Sequence, residues 1–206
     1  MISVGLGLLA ALQIVMAEAA RRTGTPGRLT ALLGCALAYD SAVVAAGRLI
    51  GEGELLESLS VGRFVVHALG TPLVVPCAAL ALRAGRTALG AAWAVAGALA
   101  ALGAATTLPG LHLQPRTWAD TLRYADAEPG GFPVAAVIAI LLLLLIGVTA
   151  WVRRGTPGIA LGALAVFTAS AAAFAVPPLG NLGEALMLLG LLVALRRPAA
   201  QPLARA

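Results

Sequence analysis

The sequence contains no lysine: all 14 of its basic residues are arginines, and with nine acidic residues they give a net charge of +5. Schiff-base chemistry on lysine, including retinal attachment, is therefore excluded. Two cysteines and two histidines are too few for a disulfide-stapled fold or for a zinc site built only from cysteine and histidine. Charged residues make up only 11% of the 206 residues, against about a quarter in a typical soluble domain.

Several motifs of soluble enzymes are also missing. The sequence has no phosphate-binding glycine loop, serine-nucleophile motif, CxxC redox pair or CxxCH haem-attachment motif. Its arginines lie in small groups between long apolar stretches, whereas a nucleic-acid-binding surface collects them on one soluble face. The sequence therefore predicts no nucleic-acid partner, and it assigns no cofactor.

What the sequence does contain is apolar residues, at 60% of the chain and a mean hydropathy of +0.95. Most of its seven apolar stretches hold the roughly 17 to 25 residues that cross a hydrocarbon core about 30 Å thick. This pattern predicts an all-α membrane bundle forming a single transmembrane domain over 1–206, with the lipid bilayer as its partner and a bacterial or archaeal plasma membrane as its location. The predicted spans are 2–20, 29–47, 64–82, 87–108, 134–152, 159–176 and 179–195, and residues 109–133 are predicted to form a long extracytoplasmic loop.

The distribution of arginines predicts the orientation of this bundle. Cytoplasmic connections retain arginine during membrane insertion, and one set of alternating connections carries ten of the 14 arginines and no acidic residue. An N-terminus outside and a C-terminus inside follow, and an even number of spans would place one set on the wrong side. The ten are Arg21, Arg22, Arg28, Arg83, Arg86, Arg153, Arg154, Arg196, Arg197 and Arg205; the other connections hold Arg48, Arg63, Arg116 and Arg123 with Glu52, Glu54, Glu57, Asp120, Asp126 and Glu128.

The first apolar stretch has an alternative interpretation as a cleaved signal peptide, because Ala17-Glu18-Ala19 resembles a cleavage site. Signal peptides carry their positive charge before the apolar run. Here the charge follows the run, as Arg21 and Arg22. The order of charge and apolar residues favours a membrane span.

Small residues and prolines predict how the helices pack. In lipid, close helix contact depends on small side chains at four-residue spacing, which Gly90, Ala94 and Ala98 offer in one helix. Ala165, Ala169 and Ala173 offer the same spacing in another. Pro72 and Pro76 predict an irregular third span with freed backbone carbonyls. The sequence Gly-Thr-Pro-Gly at 24–27 recurs at 155–158, which fits either a duplication of three spans or two ordinary turns.

Three ionisable residues fall inside predicted spans, where such residues are costly and indicate function by default. At about 1.5 Å per residue from the outer ends, His67 lies about 5 Å deep, Glu184 about 8 Å and Asp40 about 11 Å. Asn181 shares a helix face with Glu184, while Arg63 and Thr71 flank His67 at four-residue spacing. These residues predict an outward-facing polar pocket whose ligand-binding or coupling residues are Asp40, His67, Glu184, Asn181, Arg63 and Thr71.

The outer connections offer a lid for such a pocket. Residues 109–133 contain His112, Trp118, Arg123 and Tyr124, and residues 48–63 alternate leucines with glutamates as a surface helix does. Long structured loops often carry function, but a solvated linker and a helix in the membrane interface explain the same pattern. The buried acids likewise have a purely structural interpretation, in which Asp40 or Glu184 pairs with Arg48 or Arg63.

Three functions are consistent with these residues. In the first, the pocket binds or transports a small solute or ion, with Asp40 and Glu184 as coupling carboxylates and His67 as their titratable partner. In the second, Asp40 and His67, with His112 or Glu184, hold zinc and hydrolyse a lipid ester or amide. The third is an accessory subunit of a larger membrane complex or oligomer.

A topological resemblance supports the second function. The predicted arrangement of seven spans with the N-terminus outside resembles that of alkaline ceramidases, in the hydrolase superfamily that includes adiponectin receptors. That family carries paired histidines at four-residue spacing near its C-terminus, whereas residues 179–195 contain none. The resemblance therefore implies a topology but no site residues.

Overall fold

The structure is a computed structural model that describes residues 1–127 and 133–197, so Glu128 and Arg205 of the charge argument lie outside the described residues. Helices form most of the chain, and a two-stranded antiparallel sheet is inserted between the fifth and sixth of them. The elements are α1 (Ile2–Arg21), α2 (Thr25–Ile50), α3 (Glu54–Gly70), a 3₁₀ turn (Thr71–Leu73), α4 (Val74–Ala81), α5 (Arg86–Thr107), β1 (Leu113–Trp118), β2 (Thr121–Asp126), α6 (Val134–Arg154), α7 (Gly158–Ala172) and α8 (Pro178–Arg196).

Among the described residues, six helices are long and apolar enough to cross a membrane, when α3, the 3₁₀ turn and α4 are counted as one unit, Glu54–Ala81. The sixth predicted span corresponds to α7, which has only 15 residues. At about 1.5 Å per residue it is about 22 Å long. It ends at Ala172, before the Pro177-Pro178 pair that begins α8. The all-α character and six helices of membrane-spanning length are thus established.

The predicted irregularity of the third span is confirmed at Pro72, where the 3₁₀ turn separates α3 from α4. Proline has no N–H to bond to the carbonyl of Ala68. Gly103 of α5 packs against this carbonyl so closely that a Cβ there would lie 2.8 Å from the oxygen. The proline break thus coincides with a close contact between α3 and α5.

One of the two predicted small-residue contacts is confirmed and the other is wrong. Ala169 and Ala173 lie directly against Gly183 and Gly180 of α8. In contrast, the stripe at positions 90, 94 and 98 is exposed, and α5 buries a different face. Small residues occur all around α5, so their spacing alone does not select the packed face. The exposed residues are Gly90, Ala94 and Ala98, and the buried ones are Ala92, Ala96, Leu99 and Gly103.

The connections that the sequence assigns to the outer side are more structured than the sequence predicted. Helix α2 continues to Ile50 and α3 begins at Glu54, so the residues assigned to a surface helix belong to these two helices and a short turn. Leu56 is completely buried against Leu122 and Tyr124 of β2. Leu56 and Leu59 therefore pack against a β-hairpin, whereas Leu55 is exposed.

Polar contacts and one glycine hold this hairpin, β1–β2, at one end of the bundle. The Asp120 carboxylate in its turn accepts hydrogen bonds from the Ile2 amide at 2.8 Å and the Ser3 hydroxyl at 2.9 Å, and it pairs with the Met1 amine. It therefore caps α1 from outside the helix. Gly47 of α2 lies under the Leu122 carbonyl, where a Cβ would come within 1.8 Å of the oxygen.

Candidate functional site

Three helices bring most of the predicted site residues together next to the β1–β2 hairpin. Asp40 comes from α2, Arg63 and His67 from successive turns of α3, and Asn181 and Glu184 from the start of α8. Four-residue spacing on α3 and three-residue spacing on α8 place each pair on one helix face. The sequence predicted that Asp40, His67 and Glu184 lie at about the same height along the bundle, and in the structure their side chains lie next to one another.

Asp40 is the centre of this group. Its carboxylate accepts a hydrogen bond from Arg63 Nε at 2.6 Å on Oδ1 and another from the Asn181 amide on Oδ2. His67 Nε2 lies 3.3 Å from Oδ1, and the Asp40 side chain is 3% exposed. Charge-assisted bonds of this kind are among the strongest in proteins. The structural pairing is thus present, and it uses Arg63 rather than Arg48, whose side chain is exposed.

Glu184 is much less completely bonded. Its Oε1 lies 3.6 Å from His67 Nδ1, beyond normal hydrogen-bond length. Its Oε2 is buried and has no hydrogen-bond partner within the described part of the chain. A buried polar atom without a partner costs free energy and calls for an explanation, such as an unseen water, an ion or a functional role.

A cavity of about 220 Å³, which we call the polar cavity, lies beside Asp40, Arg63 and Glu184. Arg123 of β2 reaches it from the hairpin, so one of the predicted lid residues does face the site. Burial lowers the pKa of the Arg123 guanidinium, and the positive charge of Arg63 lowers it further. The ionisable and amide side chains around this cavity are those of Asp40, Arg63, His67, Arg123, Asn181 and Glu184.

A second cavity of about 130 Å³, the inner cavity, lies on the other side of His67 and Glu184. Most of its lining is apolar, including Leu37 and Met187, and Thr71 lines it too. The structure thus places Thr71 beside the inner cavity and outside the bonded group around Asp40. Because His67 and Glu184 line both cavities, they form the boundary between a polar and an apolar space.

The same residues include a candidate metal centre. Asp40, His67 and Glu184 each offer one ligand atom, and these atoms lie within 4.8 Å of one another. One imidazole and two carboxylates suit zinc or another divalent transition metal. However, Arg63 already donates to Asp40 Oδ1, and Asn181 donates to Oδ2. The alternative ligand His112 lies in the exposed segment before β1 and is not in this group.

Two contributions to the site were not predicted. Ser41 accepts a hydrogen bond from the Asn181 amide at 3.2 Å, and its only sequence signal is its position next to Asp40. The sequence places Arg123 in a possible lid but does not single it out as a site residue, because the hairpin that aims it at the cavity is not evident from the sequence. No known protein family, curated protein or solved structure matches this chain.

Proposed function

We propose that this chain is an integral membrane protein whose polar cavity binds a small solute or ion from the outer side of the membrane and couples its movement to protonation of His67 and Glu184. One observation carries the proposal. His67 and Glu184 separate the polar cavity from the inner cavity, and the Glu184 carboxylate keeps a buried oxygen without a partner among the described residues. Ionisable groups between two spaces inside a membrane are typical of ion and proton pathways.

The arginine distribution supports the proposed orientation. With α7 counted as a crossing, which makes seven in all, the start of α1, the hairpin and the polar cavity lie at the outer end of the bundle. The opposite end of the bundle carries arginines: Arg154 donates a hydrogen bond to the Leu82 carbonyl, and Arg197 donates one to the Gly155 carbonyl. An arginine-rich end is retained on the cytoplasmic side during membrane insertion.

In this proposal the two acids have different roles. Asp40 holds Arg63 and Asn181 and thereby fixes α2, α3 and α8 around the site. Glu184 exchanges a proton with His67, across the 3.6 Å between Oε1 and Nδ1, when the groups approach or a water bridges them. Because histidine changes charge near neutral pH, a charged solute in the polar cavity would shift the protonation of this pair.

A melting screen tests the proposal. The purified protein and the variants Asp40→Asn, His67→Ala and Glu184→Gln are heated in detergent with pools of small solutes, metal ions and buffers of different pH. Glu52→Gln, at an exposed turn, is the matched control. A ligand that binds only the native state raises the melting temperature, and we expect its effect to persist in the control and to disappear in the site variants. A shift that survives unchanged in all three site variants would rule out the shared site.

A metal-dependent hydrolase acting on a lipid ester or amide is the second candidate, favoured by the 4.8 Å grouping of three ligand atoms. A zinc ion held there would activate a bound water for attack. Elemental analysis of the purified protein separates the two functions. Stoichiometric zinc that is lost in His67→Ala and Glu184→Gln, but retained in Glu52→Gln, would favour the hydrolase.

A further inference from the structure

His67 also borders a third space, the side cavity, of about 260 Å³ between α3, α5 and α6. Its walls are apolar or small and include Phe64, Ala68, Gly103 and Ala136. Thr106 is exposed at its edge, and its hydroxyl donates to the Leu102 carbonyl of its own helix at 2.8 Å. The side cavity therefore suits a hydrocarbon group, and it reaches the exposed surface of helices that are apolar enough to face lipid.

The polar cavity on the other side of His67 suits an anionic group. Two acids line it: Asp40 is already bonded to Arg63 and Asn181, and Glu184 lies beside His67, with 3.6 Å between Oε1 and Nδ1. Arg123 has no ion-pair partner within the described ranges, and it lies directly opposite Arg116 in the hairpin. Burial and the charge of Arg63 disfavour its charged form, and the attraction to Asp40 only partly offsets them. Like charges at such close positions are unfavourable, and an anion beside Arg123 would relieve them.

From these two neighbouring spaces we infer that the ligand of the proposed site is an anionic amphiphile drawn from the membrane. Its carboxylate or phosphate head group binds Arg123 in the polar cavity, and its hydrocarbon chain passes His67 into the side cavity. Guanidinium groups bind both kinds of head group through paired hydrogen bonds. The inference rests on the proposed function and narrows its solute to one class.

Three probes test the head-group contact and the binding of the hydrocarbon chain separately. Laurate has both a charge and a chain, lauryl alcohol lacks the charge, and acetate lacks the chain. The melting temperature of the protein in phosphatidylcholine nanodiscs is measured with each probe. We expect a saturable rise in melting temperature with laurate and little effect from the other two. Arg123→Gln should weaken laurate binding about tenfold, the effect of losing one charge-assisted hydrogen bond. Arg48→Gln is its control, because Arg48 is exposed on α2 and does not line the polar cavity.

The chain-binding half is tested by filling the side cavity. Ala136→Phe places a ring in that space and should abolish the laurate effect, whereas Ile138→Phe, at a 38% exposed position of the same helix, should not. If Ala136→Phe fails to fold, a laurate derivative with a photoreactive group on its chain gives a second readout on the wild type. Crosslinks should then fall on α3, α5 and α6 beside His67.

The outcomes distinguish this inference from the function on which it rests. Acetate that acts as strongly as laurate would overturn the amphiphile while leaving a polar-solute site intact. Lauryl alcohol as effective as laurate, or a laurate effect unchanged in Arg123→Gln, would overturn the head-group contact. Absence of any laurate effect, or crosslinks confined to the outer lipid-facing surfaces, would overturn the whole inference. The proposed function itself fails only if no ligand effect depends on Asp40, His67 and Glu184.

Discussion

At the scale of single residues, the site combines one carboxylate whose two oxygens both accept hydrogen bonds, Asp40, with one that lacks them, Glu184. Asp40 has an arginine and an amide as hydrogen-bond donors. Among the described residues, Glu184 Oε2 has no hydrogen-bond partner, and Oε1 lies 3.6 Å from His67 Nδ1, too far for a normal hydrogen bond. A fully bonded buried ion pair fixes a structure, because either charge alone would be costly to bury. Loss of the Asp40–Arg63 pair should therefore lower stability as well as ligand response, whereas changes at Glu184 should act mainly on ligand response.

The Asp40–Arg63 pair gives the first prediction. Asp40→Asn or Arg63→Gln alone leaves one buried charge unpaired, and each should lower the free energy of unfolding by about 3 kcal/mol. The double variant removes both charges and should cost clearly less than the sum of the two single variants. Unfolding of all four proteins in the same detergent measures this coupling, and strictly additive losses would show that the pair does not stabilise the helices.

Gln13 gives a second prediction at this scale. It lies in α1 with no exposed surface, and neither atom of its amide has a hydrogen-bond partner in the described part of the chain. An unpaired buried amide costs about 1 to 3 kcal/mol. Gln13→Met, which has nearly the same shape, should therefore raise the melting temperature, while Gln114→Met at an exposed position should change it little. A lower melting temperature for Gln13→Met would reveal a polar partner for this amide.

At the scale of helices and strands, hydropathy predicted the membrane helices better than their ends and connections. Apolar length is local information, so α1, α2, α5 and α6 could be predicted to within a few residues. The hairpin could not, because its strands are short, β1 contains Pro115, and the alternation of Leu122, Arg123 and Tyr124 has meaning only once α2 and α3 form its floor. For the same reason, the proximity of Asp40, His67 and Glu184 could be predicted from the sequence, while Arg123 could be assigned only to a possible lid.

Gly47 tests the docking of the hairpin on α2. A methyl group there would overlap the Leu122 carbonyl at 1.8 Å, so β2 must shift. Gly47→Ala should destabilise the protein by about 1 to 3 kcal/mol, the usual cost of overpacking, and should make residues 113–126 more sensitive to protease. Gly97→Ala is the control, since a Cβ at Gly97 of α5 has nothing within 4 Å. Equal stability of the two variants would contradict the docked hairpin.

Asp120 predicts how hairpin docking depends on pH. The Met1 ammonium, the Ser3 hydroxyl and the first amides of α1 hold the pKa of this carboxyl below its usual range. A lowered pKa in the folded state means that the stabilisation is present above the pKa of the unfolded chain, about 3.9, and is lost as the pH falls towards the folded value. Asp120→Asn should therefore flatten the acid side of a plot of melting temperature against pH. A plot that keeps the wild-type slope below about pH 4 would assign that slope to other groups.

At the scale of the whole molecule, the two ends of the bundle differ in chemistry. One end carries the hairpin, the acidic turns and the polar cavity, and the other carries paired arginines in short turns and the end of α8. Arginines at one end of a helical bundle predict the cytoplasmic side. The proposed function therefore requires a polar cavity that opens to the outside and is lined by His67 and Glu184.

Cysteine labelling in spheroplasts tests this claim most directly. In a background of Cys35→Ala and Cys77→Ala, a cysteine is placed at Gly180, which lines the polar cavity and has room for a Cβ at 3.6 Å from Ala173. Thr117→Cys on the exposed strand and Arg153→Cys at the arginine-rich end are the controls. With a membrane-impermeant thiol reagent, the cysteines at positions 180 and 117 should react in intact spheroplasts, and the one at 153 only after permeabilisation. Labelling at 153 in intact spheroplasts, or at 180 only after permeabilisation, would contradict an outward-facing polar cavity.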